Sequence, residues 1–126
     1  TVAISGAVLA GLTPASAAAP EGSGVTVAAS CYGSARPFDK EANKAQVPTG
    51  AGSAYRTTTN CADINVRPTN RSARVRVCFL EPVSCNTFRN APVNQWTVAA
   101  SGVRDNEPFR IEFEDRAPRV TGVFAA

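Results

Sequence analysis

Between Ile64 and Phe124, apolar side chains recur at every second residue in one segment after another, the signature of half-buried β-strands. Ile64 and Val66 alternate with Asp63, Asn65 and Arg67, and Val75, Val77 and Phe79 alternate with Arg74 and Arg76. Pro68-Thr69-Asn70-Arg71 lies between the two runs, so the pattern predicts a hairpin. Directly opposed residues share a face. Pairing Ile64 with Val75 therefore sets Asp63 against Arg76, Asn65 against Arg74 and Cys61 against Cys78. A second hairpin is expected, with Trp96, Val98 and Ala100 facing one way and Phe109, Ile111 and Phe113 facing one way on the return strand. Matching Val98 with Ile111 puts Trp96 opposite Phe113, with all these aromatics in the core. Ser101-Gly102 would shift the phase as a bulge does, and residues 104–108 would make the turn. Residues 119–125 read as a last strand, and no segment sustains a helical period over three turns. The expected fold is all-β, a small antiparallel β-sandwich or barrel.

Cys31, Cys61, Cys78 and Cys85 bear on the same conclusion, because a small exported domain gains stability from disulfides that restrict its unfolded state. Zinc is disfavoured by the absence of histidine and of any CxxC pair. No metal or cofactor is expected. Two connectivities are open. The favoured one pairs Cys31 with Cys61 and Cys78 with Cys85, worth about 3–4 and about 2–3 kcal/mol in the loop-entropy picture. The other pairs Cys61 with Cys78 across the first hairpin and Cys31 with Cys85. Bridges between directly opposed strand positions are commonly strained, which disfavours it.

The apolar stretch Val2–Leu12, then Thr13-Pro14 and the small residues Ala15-Ser16-Ala17, reads as a secretory signal over residues 1–17, cleaved after Ala17. It is too short to span a bilayer. The chain opens without Met or a basic leader, so it is expected to be a precursor shortened at its front. Residues 18–30 would be a flexible lead with a first strand at 25–29, and 31–126 the stapled β domain. The expected location is secreted and extracellular. Lys40 and Lys44 are the only lysines in an Ala- and Arg-rich chain, a usage that suggests a high-GC bacterium. Residues 33–54 are polar and rich in small residues, and read as a long surface loop with a brief helical turn near Asp39–Gln46.

The lack of histidine removes the usual general base, and bridged cysteines leave no thiol nucleophile. Glu112 and Glu114 stand two apart on one strand face, loosely the spacing of a glycosidase pair. The better reading is a solvated face on which both meet arginines of neighbouring strands. A weak cation site with Asp115 is a lesser alternative. The first hairpin would show Arg67, Arg71, Arg74 and Arg76 on one ribbon, suited to sulfate, phosphate, teichoic acid or another anionic polymer. A net charge of +3 and the lack of interleaved aromatics argue against nucleic acid. Tyr32, Tyr55 and Phe88 could instead form a sugar-stacking surface, although covering the sheet ends is the simpler role.

Two resemblances add to this. Cys61-Ala62-Asp63-Ile64-Asn65-Val66-Arg67-Pro68, with Val75-Arg76-Val77-Cys78-Phe79, Cys85-Asn86, Ala91-Pro92 and Gln95-Trp96-Thr97, resembles a group of small secreted actinobacterial proteins without assigned activity. Ile64-Asn65-Val66-Arg67 also resembles the opening of bacterial SH3-like cell-wall modules, although Pro68-Thr69-Asn70 departs from their continuation. The resulting expectation is a secreted, non-catalytic binding or accessory protein, for the cell envelope or an anionic glycan. The alternative is an inhibitor of a secreted protease acting through loop 33–54.

Overall fold

The computed structural model describes residues 30–126. The signal segment expected over residues 1–17 and the strand expected at 25–29 lie outside the described residues. The chain divides after Gly33, and the β body runs from Ser34 to Ala126. All four cysteines are bridged in the favoured pairing, Cys31–Cys61 and Cys78–Cys85.

Ten strands build the body: β1 (Arg36–Lys40), β2 (Gln46–Val47), β3 (Tyr55–Arg56), β4 (Ile64–Pro68), β5 (Ala73–Leu80), β6 (Val83–Cys85), β7 (Arg89–Ala91), β8 (Thr97–Ala100), β9 (Pro108–Phe113) and β10 (Val120–Ala125). They form two antiparallel sheets. One has the order β1-β10-β4-β8, and the other β2-β9-β5-β6, with β3 also on β9 and β7 also on β5. Their inner faces meet in one core that includes Ile64, Val66, Val75, Val77, Phe109, Ile111, Val120 and Phe124, all essentially without solvent exposure. The fold is an antiparallel β-sandwich.

Neither expected hairpin exists. β4 pairs with β10 and β8, whereas β5 pairs with β9, so the link 69–72 crosses from one sheet to the other. β8 and β9 are likewise in different sheets, and Trp96 does not pair with Phe113. The reason is that strands facing each other across a sandwich show the same inward alternation as strands lying side by side. Four extended residues reach about 13 Å, enough to step the roughly 10 Å between packed sheets. Cys61 is accordingly not opposite Cys78, whose partner across the β5–β6 pair is Cys85.

Residues 33–54 also depart from the expected loop. β1 forms the edge of the first sheet against β10, and β2 lies on β9. The helical turn expected near Asp39–Gln46 is replaced by the end of β1 and a turn in which Asn43 takes a left-handed conformation (φ 65°), which asparagine tolerates. The alternation Phe38, Lys40 puts a lysine on the inward face. The last strand is legible in the sequence at nearly its true bounds, and it lies between β1 and β4 inside the first sheet.

Gly122 is set by this central position. A Cβ there would lie 2.8 Å from Pro68 Cα and 2.9 Å from the Phe38 ring, and would also press on the Arg67 carbonyl oxygen. Two of these neighbours are backbone and cannot yield without moving β4. Gly122→Ala should therefore destabilise the fold by about 1–3 kcal/mol through overpacking. Chemical denaturation of the variant against the parent checks this, and an unchanged midpoint would contradict the packing described.

Candidate functional site

The crossing between sheets separates the four arginines that the sequence placed on one ribbon. Arg67 is on the outward face of the first sheet, opposite Val123. Arg74 and Arg76 are on the outward face of the second, and Arg71 is in the link between the sheets. The arginines on β5 are engaged with carboxylates of β9. Arg76 donates to Glu112 Oε1 from Nε and Nη2 at 2.9 and 2.7 Å, and its guanidinium stacks 4.6 Å from the Phe88 ring centre. Arg74 is paired with Glu114. The expectation that both glutamates meet arginines thus holds, and each carboxylate is held as an ion-pair partner. The thiol sulfurs beside Glu112 are joined in the Cys78–Cys85 bridge, so this cluster offers no free set of metal ligands.

The aromatics also distribute differently from the reading by phase. Phe109 and Phe113 are core residues, while Trp96 is partly exposed. In β8 it is Ala99 and Ala100 that are buried and Val98 that is exposed. The cause is an irregularity between Ile64 and Asn65 in the β4–β8 pair, which shifts the phase there rather than at Ser101-Gly102. Tyr55 packs 4.2 Å from Phe124 and 5.8 Å from Phe109 between ring centres, so it closes the core and is no sugar platform. Burial pushes its phenol above the usual value, with the nearby Arg36 opposing that shift.

One end of the sandwich carries a groove of about 180 Å³. Its floor is Phe113 from one sheet and Val120 from the other, and its rim includes Arg71, Arg74, Asn90, Glu114 and Asp115. Arg74 is occupied by Glu114, whereas Arg71 has no acid partner among the described residues. Beside the groove is Lys40, a residue that sequence reasoning missed. It is fully buried, and its ammonium donates to the carbonyl oxygens of Glu41 (3.2 Å), Lys44 (2.9 Å) and Arg116 (2.9 Å). Its Nζ also sits 5.7 Å from the centre of the Phe113 ring that floors the groove. Burial lowers its pKa, Asp115 opposes that shift, and Arg116 and Arg71 add to it. Three donors meeting three carbonyls satisfy the ammonium completely. They tie the β1–β2 turn to the β9–β10 loop. The only signal in the sequence was a lysine at the inward phase of a short, polar strand. Nearby, Arg119 grips Asp39 through two bonds of 3.0 and 2.6 Å.

The 33–54 stretch retains one projecting piece, residues 48–54, between β2 and β3. No helix among the described residues is long and apolar enough to cross a membrane. Comparisons with protein-family models, with curated proteins and with solved structures find no match to this chain.

Two outcomes follow from these contacts. Lys40→Met would leave three carbonyls without a donor, and should cost about 3 kcal/mol, measured by denaturant unfolding. A loss below about 1 kcal/mol would show that the ammonium is not the tie described. The hydrogen bonds from Arg119 hold the Asp39 carboxyl below its ordinary value. The stabilisation from this group is present above the unfolded pKa of about 3.9 and is lost as pH falls through the lower folded value. Asp39→Asn should therefore flatten the acid side of the stability curve below about pH 4, read from thermal melts between neutral pH and pH 2.

Proposed function

We propose that this protein is a secreted, non-catalytic binding or accessory module that holds an anionic polymer of the cell envelope, or an anionic glycan, at the groove end of the sandwich. The observation that carries this reading is Arg71. Its guanidinium has no ion-pair partner among the described residues and lines a groove with an apolar floor, where the Lys40 ammonium and Arg116 lie close by and outnumber the carboxylate of Asp115. A guanidinium in such a position offers fork-shaped donors to a carboxylate, sulfate or phosphate. The fixed positive charge beneath it favours an anion over a neutral group.

Chemistry elsewhere in the described body supports binding rather than turnover. Glu112 and Glu114 are each held by an arginine, the cysteines are bridged, and the chain has no histidine. Two disulfides suit an oxidising, extracellular setting. Of the arginine set read from the sequence, the ion pairs leave Arg71 and Arg67 for an external anion.

Co-sedimentation with purified cell walls and insoluble acidic polysaccharides, at low and at high salt, tests the proposal. The expected result is pelleting that weakens as salt rises, and that falls about tenfold in affinity for Arg71→Ser, the scale of one charged hydrogen-bonded contact. Arg104→Ser, at the opposite end and in an exposed pair with Glu107, should leave retention unchanged. Protein that stays in solution under all conditions overturns the reading. The inhibitor alternative, narrowed to the projecting residues 48–54, would then be tested by stoichiometric loss of activity in a panel of secreted proteases.

A further inference from the structure

The two disulfides differ in what a reagent can reach. Cys31 and Cys61 are both buried, at 6% and 3% exposure. Cys78 is buried as well, at 1%, but its partner Cys85 is exposed. Cys85 ends β6, a three-residue strand exposed throughout and the last in the order β2-β9-β5-β6. Cys78 and Cys85 are directly opposed in the register, so the bridge runs across the strand pair. The direction from Cys78 toward Cys85 therefore leads away from β5 and out past the sheet edge. A thiolate needs that approach, because displacement at sulfur sets the incoming and leaving sulfurs on opposite sides of the one attacked.

The surroundings of Cys78 suit a departing thiolate. On the other side of β5, the register sets Arg110 of β9 directly opposite Cys78. Arg110 is half-buried, has no acid partner among the described residues, and its Nε is a buried donor without an acceptor. A thiolate formed at Cys78 would bring a counter-charge to the strand beside that guanidinium, and a nearby arginine stabilises a thiolate. One group opposes this: a Glu112 carboxylate oxygen lies within 4.8 Å of both sulfurs. That carboxylate is already held by two bonds from Arg76. Two guanidinium groups thus stand against one carboxylate around the bridge. The bridge also joins residues only 7 apart in sequence, so opening it returns less entropy to the unfolded chain than opening Cys31–Cys61 would.

We infer that Cys78–Cys85 is a thiol-exchange site, at which a small thiol is taken up on Cys85 as a mixed disulfide. The incoming thiolate forms a new S–S bond to Cys85 Sγ as the bond to Cys78 breaks. Cys78 keeps the electron pair and leaves as a thiolate beside Arg110. The incoming sulfur is oxidised to the disulfide level and the Cys78 sulfur is reduced, so no further oxidant or reductant is needed. Cys31–Cys61, buried at both ends, remains closed and holds the chain. Arg110 acts here as a positioning residue for the leaving group. The inference is independent of the anion groove around Arg71.

The folded full chain would be treated with 2-mercaptoethanol at neutral pH without denaturant, quenched in acid, and its free thiols capped with N-ethylmaleimide. Peptide mass spectrometry without reduction then locates each group. The expected product carries mercaptoethanol on Cys85 and maleimide on Cys78, with Cys31–Cys61 intact. Arg110→Gln should slow its formation about threefold by raising the leaving-group pKa, and Arg110→Lys should restore the rate. Glu112→Gln, which frees Arg76 and removes the opposing charge, should speed it, and serves if Arg110→Gln does not fold. Circular dichroism and the integrity of Cys31–Cys61 in each variant separate a change in exchange from a loosened fold. The inference is overturned by an adduct on Cys78, by opening of Cys31–Cys61 at an equal or faster rate, or by reaction only once the chain is unfolded. A rate unmoved by Arg110→Gln and by Glu112→Gln overturns it as well.

Discussion

The core shared by the inner faces of the two sheets is the constraint on which everything else in the β body depends. Val75, Val77, Phe109 and Ile111 from one sheet meet Val66, Val120 and Phe124 from the other with essentially no exposure. Each such side chain contributes roughly 1.5–3 kcal/mol on burial, whereas an exposed ion pair contributes about 0–1 kcal/mol. The hydrophobic term therefore decides which strands share a sheet, and the arginine–glutamate pairs on the surface adapt to the register that results. Gly122 marks how closely the first sheet is assembled, since its neighbours occupy the space a side chain would need.

That core also locates the groove. Phe113 and Val120 are its last inward residues at one end, where β9 leaves one sheet and β10 enters the other. The connecting loop is held by Lys40 through the Arg116 carbonyl, and the β1–β2 turn through those of Glu41 and Lys44. A buried ammonium is a costly tie, and it is tolerable here because all three of its donors are used. The same arrangement adds a fixed positive charge beneath the groove, so one residue serves both the architecture of this end and its electrostatics. Arg74 and Arg76, by contrast, are matched by carboxylates across one strand pair.

Much of the molecule was legible from residues alone. Alternation around Ile64, Val75 and Phe109 identified strands, the final strand was read close to its true bounds, and the preferred cysteine pairing is the one found, although Cys78 and Cys85 themselves sit directly opposite each other on β5 and β6. The pairing of glutamates 112 and 114 with arginines followed from their exposed phase on a strand. The misread positions share a physical cause. Lys40 follows Phe38 at an inward position, but nothing local announces that three distant and nearby carbonyls will receive its ammonium. Trp96 was assigned to the core because the phase of β8 was extrapolated through a strand whose partner carries an irregularity at Ile64/Asn65.

The sequence by itself determined the β class, most of the strand positions and the inward identity of most side chains, because these follow from a period-two pattern that each segment carries alone. It did not determine which strands are neighbours. Side-by-side and face-to-face strands bury the same alternate residues, and the four-residue link 69–72 can close a hairpin or step between sheets. Only the assembled core, in which β4 lies with β10 and β5 with β9, chose the second. That choice divided the arginines between two faces and one loop, neutralised two of them, and left Arg71 lining a groove. Charge is written in the sequence, but whether it is free to meet a ligand depends on which strand the fold places beside it.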